Sequence, residues 1–111
     1  MTEREFFNSK RWQKLRASVL RRDDYLDREA LRFGERITAD TVHHILPREY
    51  FPEYQFEPWN LISLSTATHN RLHDRSGHYL TADGLNLLER TARKYNIFVS
   101  ESMKDKLTPP S

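Results

Sequence analysis

Apolar residues along this chain change their period several times, and each change marks an element. Trp12, Leu15 and Val19 fall at i, i+3 and i+7, which lines one face of a helix. Asn8 or Ser9 can cap that helix, and it is predicted to run to about Arg22, with Lys10, Lys14 and Arg21 off the apolar stripe. Asp23 and Asp24 break the period. A short helix is predicted from Leu26 to Phe33, ended by Gly34, because glycine enters the left-handed region without steric cost. Thr41 to Leu46 is rich in β-branched residues and closed by Pro47, the pattern of a strand.

From Pro47 to Pro58 no clean period survives. The stretch carries three prolines, three glutamates and the aromatics Tyr50, Phe51, Tyr54 and Phe56. It reads as an ordered loop, since a flexible linker has no need of those rings. Leu61 to Leu64 is a second strand, and Ser65 or Thr66 caps a helix through about Arg75. A last helix starts near Thr81 or Asp83, with Leu85, Leu88, Ala92 and Tyr95 as its buried face and Gly84 in its first turn. Residues 1–103 are expected to form a single domain, and the polar, proline-containing end 104–111 to be a flexible tail. The fold class expected is α+β.

Composition narrows the class. At 111 residues there is room for one modest core. The net charge is only +2, but Asn8 to Arg22 holds six basic residues and no acidic one. Such a segment fits either contact with a polyanion or a solvated helix face. Cysteine is absent, which removes disulfides and thiolate metal sites and points to a reducing compartment. The N-terminus lacks the apolar stretch of a signal peptide, and no run reaches the roughly 20 apolar residues of a membrane span. A cytoplasmic protein is expected, with no membrane partner.

All five histidines lie between positions 43 and 78. His43 and His44 are adjacent on the first strand, where alternation sends them to opposite faces. His69 and His73 are four apart on the helix after the second strand and share a face. Converging imidazoles suit a divalent transition metal. Taken singly, each residue has an ordinary reading: a solvated helical histidine, a strand filler, or, for Asn60, a turn residue. Joint occurrence in this order favours chemistry. His69 and His73 also have the spacing of a zincin helix, but Asn70 occupies the place of the glutamate that chemistry needs. Zinc-finger cysteines and a glycine-rich phosphate loop are both missing.

Four segments, Phe7-Asn8-Ser9-Lys10-Arg11-Trp12, Val42-His43-His44-Ile45, Trp59-Asn60-Leu61-Ile62-Ser63-Leu64 and His69-Asn70-Arg71-Leu72-His73, resemble in order and spacing the HNH (His-Me finger) endonucleases, the small phage and prophage proteins in particular. The resemblance runs from about Phe6 to Arg75. It implies a ββα-metal core with flanking N- and C-terminal helices, and metal-dependent hydrolysis of DNA phosphodiester bonds. Many relatives hold a structural zinc with two CxxC pairs; here Asp27 and Ala30 stand for the first pair and Ser65 and Thr68 for the second. That structural zinc is therefore not expected, which leaves apolar packing to hold the core.

Carried over by position, the resemblance makes His43 and His69 metal ligands with His73 as a third, and His44 the general base that takes a proton from the attacking water. A base with an unperturbed pKa of about 6.5 is mostly neutral at working pH. Asn60 would tie the loop between the strands and so hold the base. The metal would be one divalent ion, with Mg, Mn, Ni and Zn all open. Lys10, Arg11, Lys14, Arg21 and Arg22 would contact DNA backbone phosphates, and Arg71 is a further candidate, with a solvated helical arginine as its ordinary reading. A second protomer or a phage terminase would be the protein partner. Two rival readings stand beside this one: a DNA-binding HNH-like module of a packaging or regulatory complex that has lost cleavage, and a structural phage component acting through protein contacts.

Overall fold

The first turn of the chain is built by a reciprocal cap. The Thr2 side chain accepts from the Glu5 amide and the Glu5 carboxylate receives the Thr2 amide, which starts helix α1 (Glu3–Asn8). Six residues do not sustain a helix alone; α1 is held by Phe6, which is fully buried. It ends at Ser9, whose own side chain accepts from the Trp12 amide and so caps α2 (Lys10–Arg22). A computed structural model describes residues 1–110 of the chain. They form two compact units, one of Met1–Ser65 and the other from Thr66 onward.

In the first unit α2 buries Trp12, Val19 and Leu20. Leu15 is only partly covered, so the predicted stripe is rotated toward Leu20. Asp27 caps the short α3 (Arg28–Leu31) through the Ala30 amide. The expected span of 26–33 shrinks because Asp24 and Tyr25 turn the chain with left-handed backbones just before it. Gly34 is left-handed too, as its position required (φ 82°). Strands β1 (Thr41–His44) and β2 (Leu61–Leu64) pair antiparallel, with His43 opposite Ile62 and His44 opposite Leu61. The unit's apolar core joins Phe6, Trp12, Val19, Leu20, Ala39, Val42 and Leu61, with Phe7, Leu15 and Phe56 packed against it.

β1 ends two residues before the predicted Leu46 for a specific reason. The Ile45 amide still reaches the Asn60 carbonyl, but residues 58–60 have turned into a 3₁₀ turn. Leu46 is bonded by the Asn60 side chain instead, so an amide side chain continues the ladder where backbone cannot.

The outer edge of β2 is closed by charged side chains. The Asp23 carboxylate accepts the Ser63 amide at 3.1 Å, and the Asp27 carboxylate accepts both the Ser65 amide and its hydroxyl, at 3.0 and 2.8 Å. Arg22 donates through Nη2 to the Leu61 carbonyl at 2.7 Å and through Nη1 to the Pro58 carbonyl, while Nε and Nη2 grip Asp23. An open edge otherwise invites pairing with another chain. Two of the four positions expected to be vacated ribbon sites, Asp27 and Ser65, are thus bonded to each other, and apolar packing is not the only support.

The second unit holds α4 (Thr66–Leu72), α5 (Ala82–Lys94) and α6 (Glu101–Leu107). α4 follows β2 after a single residue, which gives the chain its ββα order and α+β class. It stops short of Arg75, since His73 leaves the helix to form an isolated bridge with Leu80. α5 is capped by Thr81 and buries Gly84, Leu87, Leu88, Thr91 and Ala92. The face predicted from Leu85 and Tyr95 is turned by about one position, and Tyr95 is exposed. Gly84 is explained by proximity: a Cβ there would collide with the Leu72 carbonyl. Helix α6 occupies much of the expected tail. Leu107 is buried and its carbonyl accepts the Leu80 amide at 2.8 Å, so an apolar anchor overrides the polar composition around it. None of these helices is long and apolar enough to cross a membrane.

Candidate metal and active centre

His44 is a buried polar side chain of the first unit enclosed by aromatic rings. Pleating directs it toward the apolar core, where its ring stacks on Trp12 with centroids 5.0 Å apart. Phe6 and Phe7 close on it at 5.8 and 6.2 Å. Its Nε2 lies 3.0 Å from the Gln55 carbonyl oxygen. A carbonyl can only accept, so Nε2 carries the proton and the neutral ring keeps its lone pair on Nδ1. Burial is the main reason that the pKa is lowered to about 4; the nearby Arg48 charge adds to this, and the Gln55 carbonyl opposes it. At neutral pH the imidazole is uncharged.

Asn60 is fully buried and its amide is fully used. Oδ1 accepts the Leu46 amide at 2.7 Å, and Nδ2 donates to the Leu46 and Tyr54 carbonyls at 3.1 Å each. Tyr54 precedes Gln55, so one side chain fastens the end of β1 to the stretch of loop whose carbonyl orients His44. Tyr54 packs against Trp59 and Phe51. The loop aromatics are therefore ordered, as their number suggested.

His43, buried on the opposite face of β1, belongs to a different chemical group. His43, His69 and His73 are all imidazole donors of the kind that hold a metal ion. His69 on α4 and His73, just beyond its end, meet edge to face with ring centroids 4.7 Å apart. The His73 pKa is lowered, chiefly by burial, against the pull of Asp74 and the Tyr79 carbonyl. A low pKa keeps lone pairs available for a cation, and an all-imidazole set suits a divalent transition ion.

The basic residues divide. Lys10, Arg11, Lys14 and Arg21 are exposed on α2. Arg22 is not available as a phosphate contact, because its guanidinium is engaged by Asp23, Pro58 and Leu61. Arg71 donates to the Thr68 hydroxyl at 3.2 Å. Sequence reasoning gave no role to Gln55, Phe6 or Arg48. The signal for Phe6 was its place beside the conspicuous Phe7–Trp12 segment; a backbone carbonyl such as that of Gln55 leaves no mark in sequence.

No family model and no curated protein matches the chain. Among solved structures, it is similar to the HNH endonuclease of the deep-sea thermophilic bacteriophage GVE2, crystallised with a manganese ion, at 35% sequence identity and a TM-score of 0.60. The match covers 61% of this chain and 74% of that one. With that likeness, the ββα order and a histidine set suited to a metal, the chain belongs to the HNH endonuclease family.

Proposed function

We propose that this protein is a metal-dependent DNA endonuclease of phage or prophage origin, hydrolysing phosphodiester bonds, with residues 1–103 acting as one HNH domain. The observation that carries the reading is the state of His44: neutral, with Nε2 committed to Gln55 and Nδ1 left as acceptor. Such a ring is suited to receive a proton from a water attacking phosphorus. Asn60 keeps the loop, and through it the imidazole, in register. His43, His69 and His73 would hold one divalent ion, Mg, Mn, Ni or Zn, as the manganese in the GVE2 enzyme supports. When bound, that ion supplies Lewis-acid charge to the phosphate and the departing oxygen.

The exposed cations Lys10, Arg11, Lys14 and Arg21 on α2, with Arg71, would bind backbone phosphates and give affinity without sequence information. DNA is the substrate. Cutting both strands with one such site calls for a second protomer or a second event, and a phage terminase would be the natural partner of a packaging nuclease. The test is digestion of supercoiled, linear and single-stranded DNA across the four metals, with a His44→Ala control. Metal-dependent cleavage lost in that control is expected. DNA binding without cleavage in every metal would establish a binding module instead.

A further inference from the structure

Arg48 lies four residues beyond His44, on the turn after β1, and the two side chains share their supports. The guanidinium lies over the Phe6 ring at 3.9 Å, the same ring that packs against His44. Its Nε donates to the Gln55 side-chain oxygen at 3.3 Å, while the Gln55 backbone oxygen holds His44. One ring and one residue therefore fix a cation relative to an imidazole. Among the described residues nothing neutralises that cation: Glu49, Glu53 and Glu57, the acids of the same loop, are exposed and make no ion pair with it. Nη1 and Nη2 stay uncommitted, which leaves a planar pair of donors of the geometry that fits two oxygens of one phosphate. Arg11 is mounted similarly over Phe56 at 3.8 Å, and Phe56 packs on Phe6 at 5.1 Å. Arg11 is exposed, however, and shares no support with the imidazole as close as the one that Arg48 does.

We infer that Arg48 grips the scissile phosphate, presenting Nη1 and Nη2 to its non-bridging oxygens beside His44, whereas Arg11 contacts a flanking phosphate. The inference rests on the endonuclease reading and adds a residue to it. A purely structural Arg48 would serve as a cover for Phe6, and the two roles separate in kinetics. On a short DNA duplex, single-turnover rate and dissociation constant are measured for the wild type, Arg48→Ala, Arg48→Lys and Arg11→Ala, each with and without added guanidinium ion. Arg48→Ala should lose about 10²-fold in single-turnover rate, the scale of removing one donor to developing charge. Its affinity should change little, guanidinium should restore part of the rate, and Arg48→Lys should fall between. Arg11→Ala should bind more weakly and cleave at the normal rate once saturated. An Arg48→Ala enzyme with wild-type rate, or one slowed but indifferent to guanidinium, would overturn the assignment while leaving the endonuclease intact. If the Ala variant does not fold, Arg48→Lys decides alone, and a full wild-type rate there counts against the fork. A wild type without cleavage in any metal would overturn both readings.

Discussion

The two ends of β2 bury polar groups by opposite means. Beyond Ser63 and Ser65, two aspartate side chains are held by backbone amides, a hydroxyl and one arginine. Beside Leu61, a neutral imidazole is enclosed by Phe6, Phe7 and Trp12 and tied by a single carbonyl. Charge is kept at the first end because donors surround it; charge is excluded at the second because rings do. Asp23 shows the balance: burial pushes its pKa up, yet Arg22 and the Ser63 amide and hydroxyl bring it below the usual carboxylate value. At His44 the single Gln55 carbonyl opposes burial without offsetting it. The first end holds the sheet, and the second keeps an imidazole neutral.

The largest expected effect lies at the imidazole end. His44→Ala should reduce cleavage by about 10²–10⁴-fold while metal affinity persists, whereas His43→Ala should weaken metal binding and be partly rescued by excess metal. Titration calorimetry alongside plasmid nicking separates the two, and equal metal affinity with equal residual activity would refute the division of roles. At the aspartate end, Asp27→Ala should cost about 3 kcal/mol, since it strands a buried amide and hydroxyl and removes a helix cap. Asp27→Asn should recover part of that, because an amide oxygen still accepts. Urea midpoints decide, and a full-strength Asp27→Ala protein would show that packing alone suffices.

The two ends should also part company with pH. The folded His44 pKa is about 4 against 6.5 for the unfolded chain, so between those values the unfolded state binds more protons. Stability is then complete above pH 6.5 and falls by about 3 kcal/mol as pH drops to 4. Asp23 acts lower down: its depressed pKa stabilises the fold above the normal carboxylate range, and that contribution is lost as pH falls through its folded pKa. A His44→Phe variant should lose the upper slope and keep the lower one. The smallest contrast concerns two cations of α2. Lys14→Gln should reduce the slope of log affinity against log salt by about 1 with stability nearly unchanged. Arg22→Gln should leave the slope alone and cost about 1 kcal/mol.

What was legible in sequence follows from range. The strands, the capping serine and glycine, and the histidine spacing are local patterns, and they appear close to where they were expected. Elements that depend on one distant contact were missed. Helix α1 exists through Phe6, α6 is anchored by Leu107, and the rotated face of α5 reflects Gly84 against the Leu72 carbonyl. Around the candidate centre, order and spacing singled out His43, His44, Asn60, His69 and His73 as candidates. The surroundings of His44 did not show, because Gln55 acts through its backbone and Trp12 looked like any core residue. Arg22 misled for a related reason: a basic residue in a basic run is read as surface until its partners are seen.

The shared cap at Ser9 has a consequence for length rather than chemistry. Because one residue both ends α1 and starts α2, the joint has no slack to absorb an added or deleted position. A single-residue insertion in α1 after Phe6 would shift the following part of the helix by about 100°, swinging either the Phe6 ring or the turn carrying Trp12 off the imidazole both enclose. The exposed turn at Gly34, where a side chain would meet nothing within 4 Å, has no such constraint. Length variation in this protein should therefore collect in the turn and be excluded from the joint, which a scan of single-residue insertions would read as a sharp boundary at the first helix pair.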